Sequence, residues 1–412
     1  MSYSIAVPVP DTTTQLDSSY GSFGASNCKH TVFTVTATAV NKVIPSPAAS
    51  SLSTQEGVNA FFASLPSLLA NATRQIRSGS YHLAAEYCHA IPESKSQPAP
   101  LQVLLHGSAD YTKEYWNRGS WGNGSRKYSW TQAMNRAGYS TLAVDKLGNG
   151  ESSHPDPLYD VQLQLQMETV YSLIQRIKAG KIQGIPAPLK GALVYVGHSS
   201  GSLLGAALAQ THPSAVDALV LTGYPAGQSN NKGGIPSFHF FPAALSRPTQ
   251  FPKNLSYGYL RMNSEANRTS SFYYRGHYDP QIAHLDYETQ GVQPIGESCD
   301  FGPPTQPSFK GKVLVVTGTK DPAICGYTPV DECAFNESIL TAVRGGFSAN
   351  TGFDWYAPPS GHALNWHYSA PDTYRAVVEK LGDLLGVAAP GANGGRPAFD
   401  RLPHFDGVGV RR

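Results

Sequence analysis

The stretch that most constrains how this chain can fold is residues 191–207, Gly-Ala-Leu-Val-Tyr-Val-Gly-His-Ser-Ser-Gly-Ser-Leu-Leu-Gly-Ala-Ala. An apolar run over 193–196, rich in β-branched residues, leads into Gly197-His198-Ser199-Ser200-Gly201, and an Ala/Leu-rich segment follows. This reads as strand, tight turn and helix. A serine framed by glycines two positions before and after sits on a strained turn, where a side chain at either glycine would strike neighbouring backbone. Ser199 is thereby presented to a base and a substrate at once. The alternative is a Gly/Ser-rich turn that merely closes tightly, and the rest of the chain has to decide.

Read in order, residues 1–27 are a Ser/Thr/Pro/Gly-rich leader without periodicity. Residues 31–40 alternate as a strand, with Phe33, Val35, Ala37 and Ala39 on one face and threonines on the other. A Pro/Ser/Ala linker over 45–54 precedes a helix expected over 56–77, which Pro66 would kink or split. Strands follow at 80–88, 101–107, 139–144 and 218–221, with helices at 129–137, 161–179 and up to about 210. This alternation predicts an α/β fold, a mostly parallel sheet with helices on both faces. It stops at Gly223. Residues 224–310 are rich in Pro, Gly, Ser, Asn and aromatics and show no sheet pattern, which suits a cap inserted between strands 6 and 7, or else an ordinary packed subdomain. The alternation resumes over 311–388 with a strand at 312–316, a helix near 330–343, a strand at 353–357 and a helix at 371–385. The core is thus split into 28–223 and 311–388, and 389–412 form a Gly/Pro-rich tail.

A serine hydroxyl is a poor nucleophile at neutral pH and needs a base, usually histidine, oriented by a carboxylate. In an open parallel sheet, reacting groups gather at the carboxyl ends of the strands. Asp321 lies a few residues past the strand at 312–316, and His362 lies in the loop after the last strand, so the chain order is serine, aspartate, histidine. His367 is the fallback base. Asp145 also follows a strand, but a turn carboxylate bonding nearby backbone explains it. A developing oxyanion needs two preorganised donors. The backbone N–H groups of Ser200 and of Ser108, just past His106-Gly107, are the candidates, with His106 orienting that loop. Tyr111, Tyr115, Trp116 and Tyr224 stand where they could line a substrate pocket, or be plain packing residues.

A net charge of +2 with 15% charged residues gives no electrostatic case for a nucleic-acid partner, and no apolar run is long enough for a membrane span. No phosphate cradle, metal-ligand spacing or dinucleotide fingerprint is present, so no cofactor or metal is expected, only a small-molecule substrate. The first residues lack the pattern of a signal peptide, which points to the cytoplasm. Sequons at Asn71, Asn123, Asn254, Asn267 and Asn336 point instead to the secretory pathway, its signal absent from this sequence. Cys28 with Cys88 and Cys325 with Cys333 could form disulfides, leaving Cys299 over; five buried thiols are the alternative.

The order of His106-Gly107, the turn at 145–152, Gly197 to Gly201, Gly318 to Asp321 and Gly361-His362 resembles the α/β-hydrolase superfamily over residues 80–222 and 311–386. Ala85-Glu86-Tyr87-Cys88, Lys146-Leu147-Gly148-Asn149-Gly150, the cysteines after Asp321, and Gly361 to His367 are similar to fungal members of the secreted type. The resemblance implies a carboxylic ester hydrolase or a relative from natural-product metabolism. The aromatic insertion suggests a medium-sized apolar substrate, aromatic or polyketide-like, cleaved as an ester or lactone through an acyl-enzyme on Ser199. Cleavage of a C–C or peptide bond by the same triad, or a binding or cyclisation-guiding protein on the same fold, are the alternatives.

Overall fold

The computed structural model describes residues 27–91, 99–109, 111–117, 126–188, 193–224, 238–299, 308–321, 337–348 and 352–386. The expected leader up to residue 26, the tail from 389, Asn123, Asn336, Cys325 and Cys333 lie outside the described residues.

In chain order the elements are β1 (Cys28–Val43), α1 (Ala49–Leu52), α2 (Gln55–Ala70), β2 (Thr73–Cys88), β3 (Leu101–Leu105), α3 (Trp130–Arg136), β4 (Ser140–Val144), α4 (Leu163–Lys178), β5 (Leu193–His198), α5 (Ser200–Thr211) and β6 (Ala218–Thr222). The inserted segment contributes β7 (Phe240–Pro242), α6 (Ala243–Ser246), β8 (Tyr259–Met262), α7 (Glu265–Phe272), α8 (Pro280–Glu288) and β9 (Gln293–Pro294). The chain then returns to the core with β10 (Lys312–Val316), α9 (Glu337–Gly345), β11 (Gly352–Tyr356) and α10 (Ala370–Leu385).

The main sheet has the order β1-β2-β4-β3-β5-β6-β10-β11. From β4 to β11 every pairing is parallel, while β2 pairs antiparallel with both β1 and β4. Strands β3, β4, β5 and β6 are buried along their whole length, which is why their sequences read as near-continuous apolar runs. Leu104, Val196, Val220 and Leu314 face one layer, with α2, α3 and α10 against them. Their neighbours Leu105, Tyr195, Leu221 and Val315 face the other, with α4 and α5. At β3 the connections diverge, to β4 on one side and to β5 on the other, and such a switch point opens a crevice at the carboxyl ends of the strands.

Two expectations are corrected. The helix over 56–77 ends at Ala70, and residues 73–77 belong to β2, where Thr73 to Ile76 pair with Val43 to Val40. Ladder hydrogen bonds to β1 and the β-branched Thr73 and Ile76 favour a strand there over a continued helix. Pro66 lies inside α2 without splitting it. The insertion is also not free of sheet: β7, β8 and β9 form a three-stranded antiparallel sheet. Strands of three, four and two residues are too short to leave a period-2 signal.

Cys28 and Cys88 are cross-strand partners in β1 and β2 and are joined as a disulfide, whereas Cys299 is buried. Asn71 and Asn254 are exposed, and Asn267 is partly so. Among the described residues no helix is long and apolar enough to cross a membrane.

Candidate active site

Ser199 stands between the end of β5 and the start of α5 with φ +54° and ψ −117°, a backbone conformation that non-glycine residues rarely adopt. Its N–H is held by Thr222 O at 2.9 Å, at the end of the neighbouring strand. The two framing glycines are required by contact: a methyl group on Gly197 would run into the backbone of Gly201, and one on Gly201 into the carbonyls of Leu105 and His106. The turn can therefore pack against β3 only with hydrogen at both positions, and Ser199 remains partly exposed beyond it.

Asp321 and His362 arrive on the loops after β10 and β11. These loops are stitched by Thr319 N–H to Pro358 O (2.9 Å) and Lys320 N–H to Ser360 O (3.0 Å). Gly318 allows this approach, since a side chain there would strike the carbonyls of Ser360 and Gly361. His362 Nδ1 lies 2.8 Å from Asp321 Oδ2, with both residues buried. An ionised carboxylate only accepts, so the proton is on Nδ1, and Nε2 is left as a base. His362 lies close to the elbow: its Cε1 and that of His198 both come within about van der Waals reach of a side chain placed on Gly223. Among the described residues no hydrogen bond joins Ser199 Oγ to His362, a contact that commonly tightens only with substrate bound.

His198, beside the nucleophile position, is stacked on Tyr115 with ring centroids 4.3 Å apart. Thr222 Oγ1 donates to Gly197 O, so His198 Nδ1 donates to Thr222 Oγ1 at 3.1 Å. Burial first, and then the neighbouring His362 and His106, hold its pKa well below the ordinary value, so this ring is neutral.

Gly107 abuts the elbow, with Ser199 Cβ 2.9 Å from where its own Cβ would lie. His106 fixes this loop. Its Nδ1 donates to Gly107 O (2.8 Å), and its Nε2 accepts the N–H of Lys146 (3.1 Å), which ties the β3 loop to the β4 loop. Burial, followed by the charge of Lys146, lowers its pKa to about 4. Among the described residues no acceptor is bonded to the N–H of Ser108 or of Ser200, the two expected oxyanion donors. Ser200 is the first residue of α5, where the N–H has no intrahelical partner.

The other expected residues take the following positions. Trp116 is fully buried against Trp130 and Tyr115. Tyr224 packs in the layer opposite Tyr111. Tyr111 is buried between His198, Phe272 and Trp366, and Phe272 in turn lies 5.4 Å from the His362 ring. His367 Nε2 accepts the N–H groups of Tyr274 (2.9 Å) and Gly361 (3.1 Å) while Nδ1 donates to Ala363 O, so it serves as a backbone clamp. Burial lowers its pKa to about 4. Asp145 accepts the backbone N–H groups of Lys113 and Glu151, the turn role expected of it, and also pairs with Lys113 Nζ. Cys28, Glu86 and Cys88 are the one cluster of potential metal ligands among the described residues, and its sulfurs are already bonded to each other.

Sequence reasoning missed a buried polar cluster beside the elbow. Glu297, in the turn after β9, accepts Ser108 Oγ (2.5 Å), Lys146 Nζ (2.8 Å), Gln166 Nε2 (3.0 Å) and Asn149 Nδ2 (3.3 Å), and Lys146 Nζ also donates to Ser200 Oγ (3.0 Å). Burial by itself would raise the carboxyl pKa, but Lys146 and these donors outweigh it and hold it below the ordinary value. A buried charge needs such pairing. The only sequence signal was a lone glutamate in a stretch poor in charge.

The model of the Alpha/beta hydrolase family matches residues 102–377. Similar solved structures include an esterase from Thermogutta terrifontis, at 15% identity and TM-score 0.49, covering 74% of this chain and 95% of that one. Another is an enol-lactonase from Burkholderia xenovorans LB400, at 17% identity and TM-score 0.48, covering 73% and 96%. A third is an alpha/beta hydrolase from Penicillium sp. sh18, at 14% identity and TM-score 0.46, covering 74% and 93%. No curated protein matches the sequence.

Proposed function

The chain belongs to the alpha/beta hydrolase family, and from that premise we propose that it is a serine hydrolase that cleaves a carboxylic ester or lactone through an acyl-enzyme. The observation that carries this reading is Ser199 on a strained turn, at the same end of the sheet as the buried His362–Asp321 pair. Ser199 Oγ attacks the carbonyl carbon as its proton passes to His362 Nε2, and Asp321 steadies the imidazolium without itself taking the proton. The tetrahedral oxyanion faces the N–H groups of Ser108 and Ser200. The C–O bond breaks, and the leaving oxygen takes the proton from His362. Water then attacks the acyl carbon with His362 as base, releasing the acid and restoring Ser199.

Phe238 and Phe272, the latter 5.8 Å from Phe238 and beside His362, support a medium-sized apolar substrate. Hydrolysis of a panel of p-nitrophenyl esters and aryl lactones, compared with Ser199→Ala, tests the reading. Turnover that disappears in the variant is expected. Turnover that survives in it overturns Ser199 as nucleophile. Failure on every ester and lactone by a protein whose Ser199 still reacts with a fluorophosphonate overturns the bond type, in favour of C–C or peptide cleavage.

The Cys28–Cys88 cross-link and the exposed sequon residues Asn71 and Asn254 support a secretory-pathway location. A glycosidase-induced mobility shift on natively produced protein would bear this out, and its absence would count against it.

A further inference from the structure

The turn that carries the Ser108 N–H is gripped by three side chains of the inserted segment, none of them needed for the chemistry at Ser199 itself. Ala109 has φ +57°. That conformation costs a residue with a side chain roughly 1–2 kcal/mol, so it persists only where the surroundings over-determine it. Both of its backbone groups are taken: the N–H donates to Gln293 Oε1 at 2.5 Å, and the carbonyl accepts Arg268 Nη1 at 2.7 Å. One residue earlier, Ser108 Oγ donates to Glu297 Oε2. Gln293, Arg268 and Glu297 are 1%, 1% and 5% exposed. Arg268 is itself fixed by two 2.7 Å bonds to Asp286, and Glu297 by Lys146, Asn149 and Gln166. Through Lys146, the Glu297 carboxylate also reaches Ser200 Oγ, so one buried group bridges the two segments whose N–H groups would face a single oxyanion.

Building on the assignment of Ser199 as nucleophile, we infer that Gln293, Arg268 and Glu297 are positioning residues that preset the Ser108 N–H as an oxyanion donor. The insertion is then a fixed part of the oxyanion hole and not a cover that swings clear of it. Swinging clear would break the bonds of Ala109 to Gln293 and Arg268 and that of Ser108 to Glu297, and would expose a carboxylate whose partners stay behind in the loop after β4 and on α4. Donors held in place before charge develops stabilise it without reorganising at the moment of reaction, which is where their catalytic value lies.

Saturation kinetics with a fluorophosphonate test this without knowledge of the substrate. Ser199 Oγ displaces fluoride from phosphorus, and the phosphoryl oxygen occupies the oxyanion position. Gln293→Ala and Glu297→Gln are expected to lower the maximal rate of phosphonylation about 10- to 100-fold, less than deletion of a donor outright, with the half-saturating concentration within threefold of the unaltered protein. Adding Ala109→Gly to Gln293→Ala is expected to restore at least threefold, because glycine takes a positive φ without penalty. A purely structural role would lower the melting temperature and the fraction of reactive sites, leave the rate per folded site unchanged, and gain nothing from the glycine. An unchanged rate per folded site in both variants, or a loss that Ala109→Gly fails to relieve, overturns the inference and leaves Ser199 in its role. No adduct on Ser199 of the unaltered protein overturns both.

Discussion

Replacing Ser199 by glycine is expected to leave the protein more stable than replacing it by alanine, the reverse of the usual order. At φ +54° and ψ −117° a residue with a Cβ pays about 1–3 kcal/mol. Alanine retains that cost and glycine sheds it. Against the gain, glycine widens the unfolded ensemble, a loss of about 0.4–1 kcal/mol. The balance favours glycine by roughly 1 kcal/mol, where an unstrained site would favour alanine by a similar amount. For a chain of 412 residues the unfolding entropy near 60 °C is roughly 0.9 kcal/mol/K. Ser199→Gly should therefore melt about 1 °C above Ser199→Ala in paired calorimetric scans. Both variants remove the nucleophile, so the comparison isolates the backbone. If Ser199→Gly melts below Ser199→Ala, the elbow stores no strain, and the argument that a strained turn presents the hydroxyl is wrong.

Three further outcomes are expected. Closing a loop over a separation of 60 residues, the Cys28–Cys88 bond should contribute roughly 4 kcal/mol, so Cys28→Ser/Cys88→Ser should melt about 5 °C lower while Ser199 labels at nearly the parental rate, because this disulfide sits at the end of β2 away from the elbow; an unchanged melting temperature would show that the bond adds nothing. Asp321→Asn would present an amide to His362 Nδ1, favour the wrong tautomer and slow phosphonylation roughly 10³- to 10⁴-fold; a loss below tenfold would rule out the pair as the orienting device. Burial lowers the pKa of His106 and His367 to about 4, from an ordinary value near 6.5, so the unfolded chain binds their protons first. Their stabilisation is fully present above pH 6.5 and is lost as pH falls to 4, about 3 kcal/mol for each. Unfolding free energies between pH 6.5 and 4 should show this fall, smaller in His367→Gln, and a pH-independent stability would refute it.

What the sequence disclosed, and what it hid, divide along the range of the interactions. The elbow was legible because its constraint is local: Gly197 and Gly201 are glycines since each lies against backbone, and five adjacent letters carry that fact. The buried parallel strands were legible as apolar runs such as those of β5 and β10, and α10 through its helical repeat of Tyr374, Val377, Val378 and Leu381. The end of α2 was not, because what stops it is pairing of Thr73 to Ile76 with Val43 to Val40 of β1, beyond the whole length of the helix. The strands of the insertion were too short for their alternation to register. Glu297, Gln293 and Arg268 could not be tied to the oxyanion turn either, since each meets Ser108 or Ala109 across more than 150 residues and no local pattern marks the contact.

The central claim, an activated Ser199, is tested most directly by intact mass and peptide mapping after exposure to a fluorophosphonate, with the unaltered protein beside Ser199→Ala and His362→Ala. The account predicts one adduct, mapped to Ser199, on the unaltered protein and none on either variant in the same time. A folded protein that takes no adduct, or one that carries it on a residue other than Ser199, would contradict it.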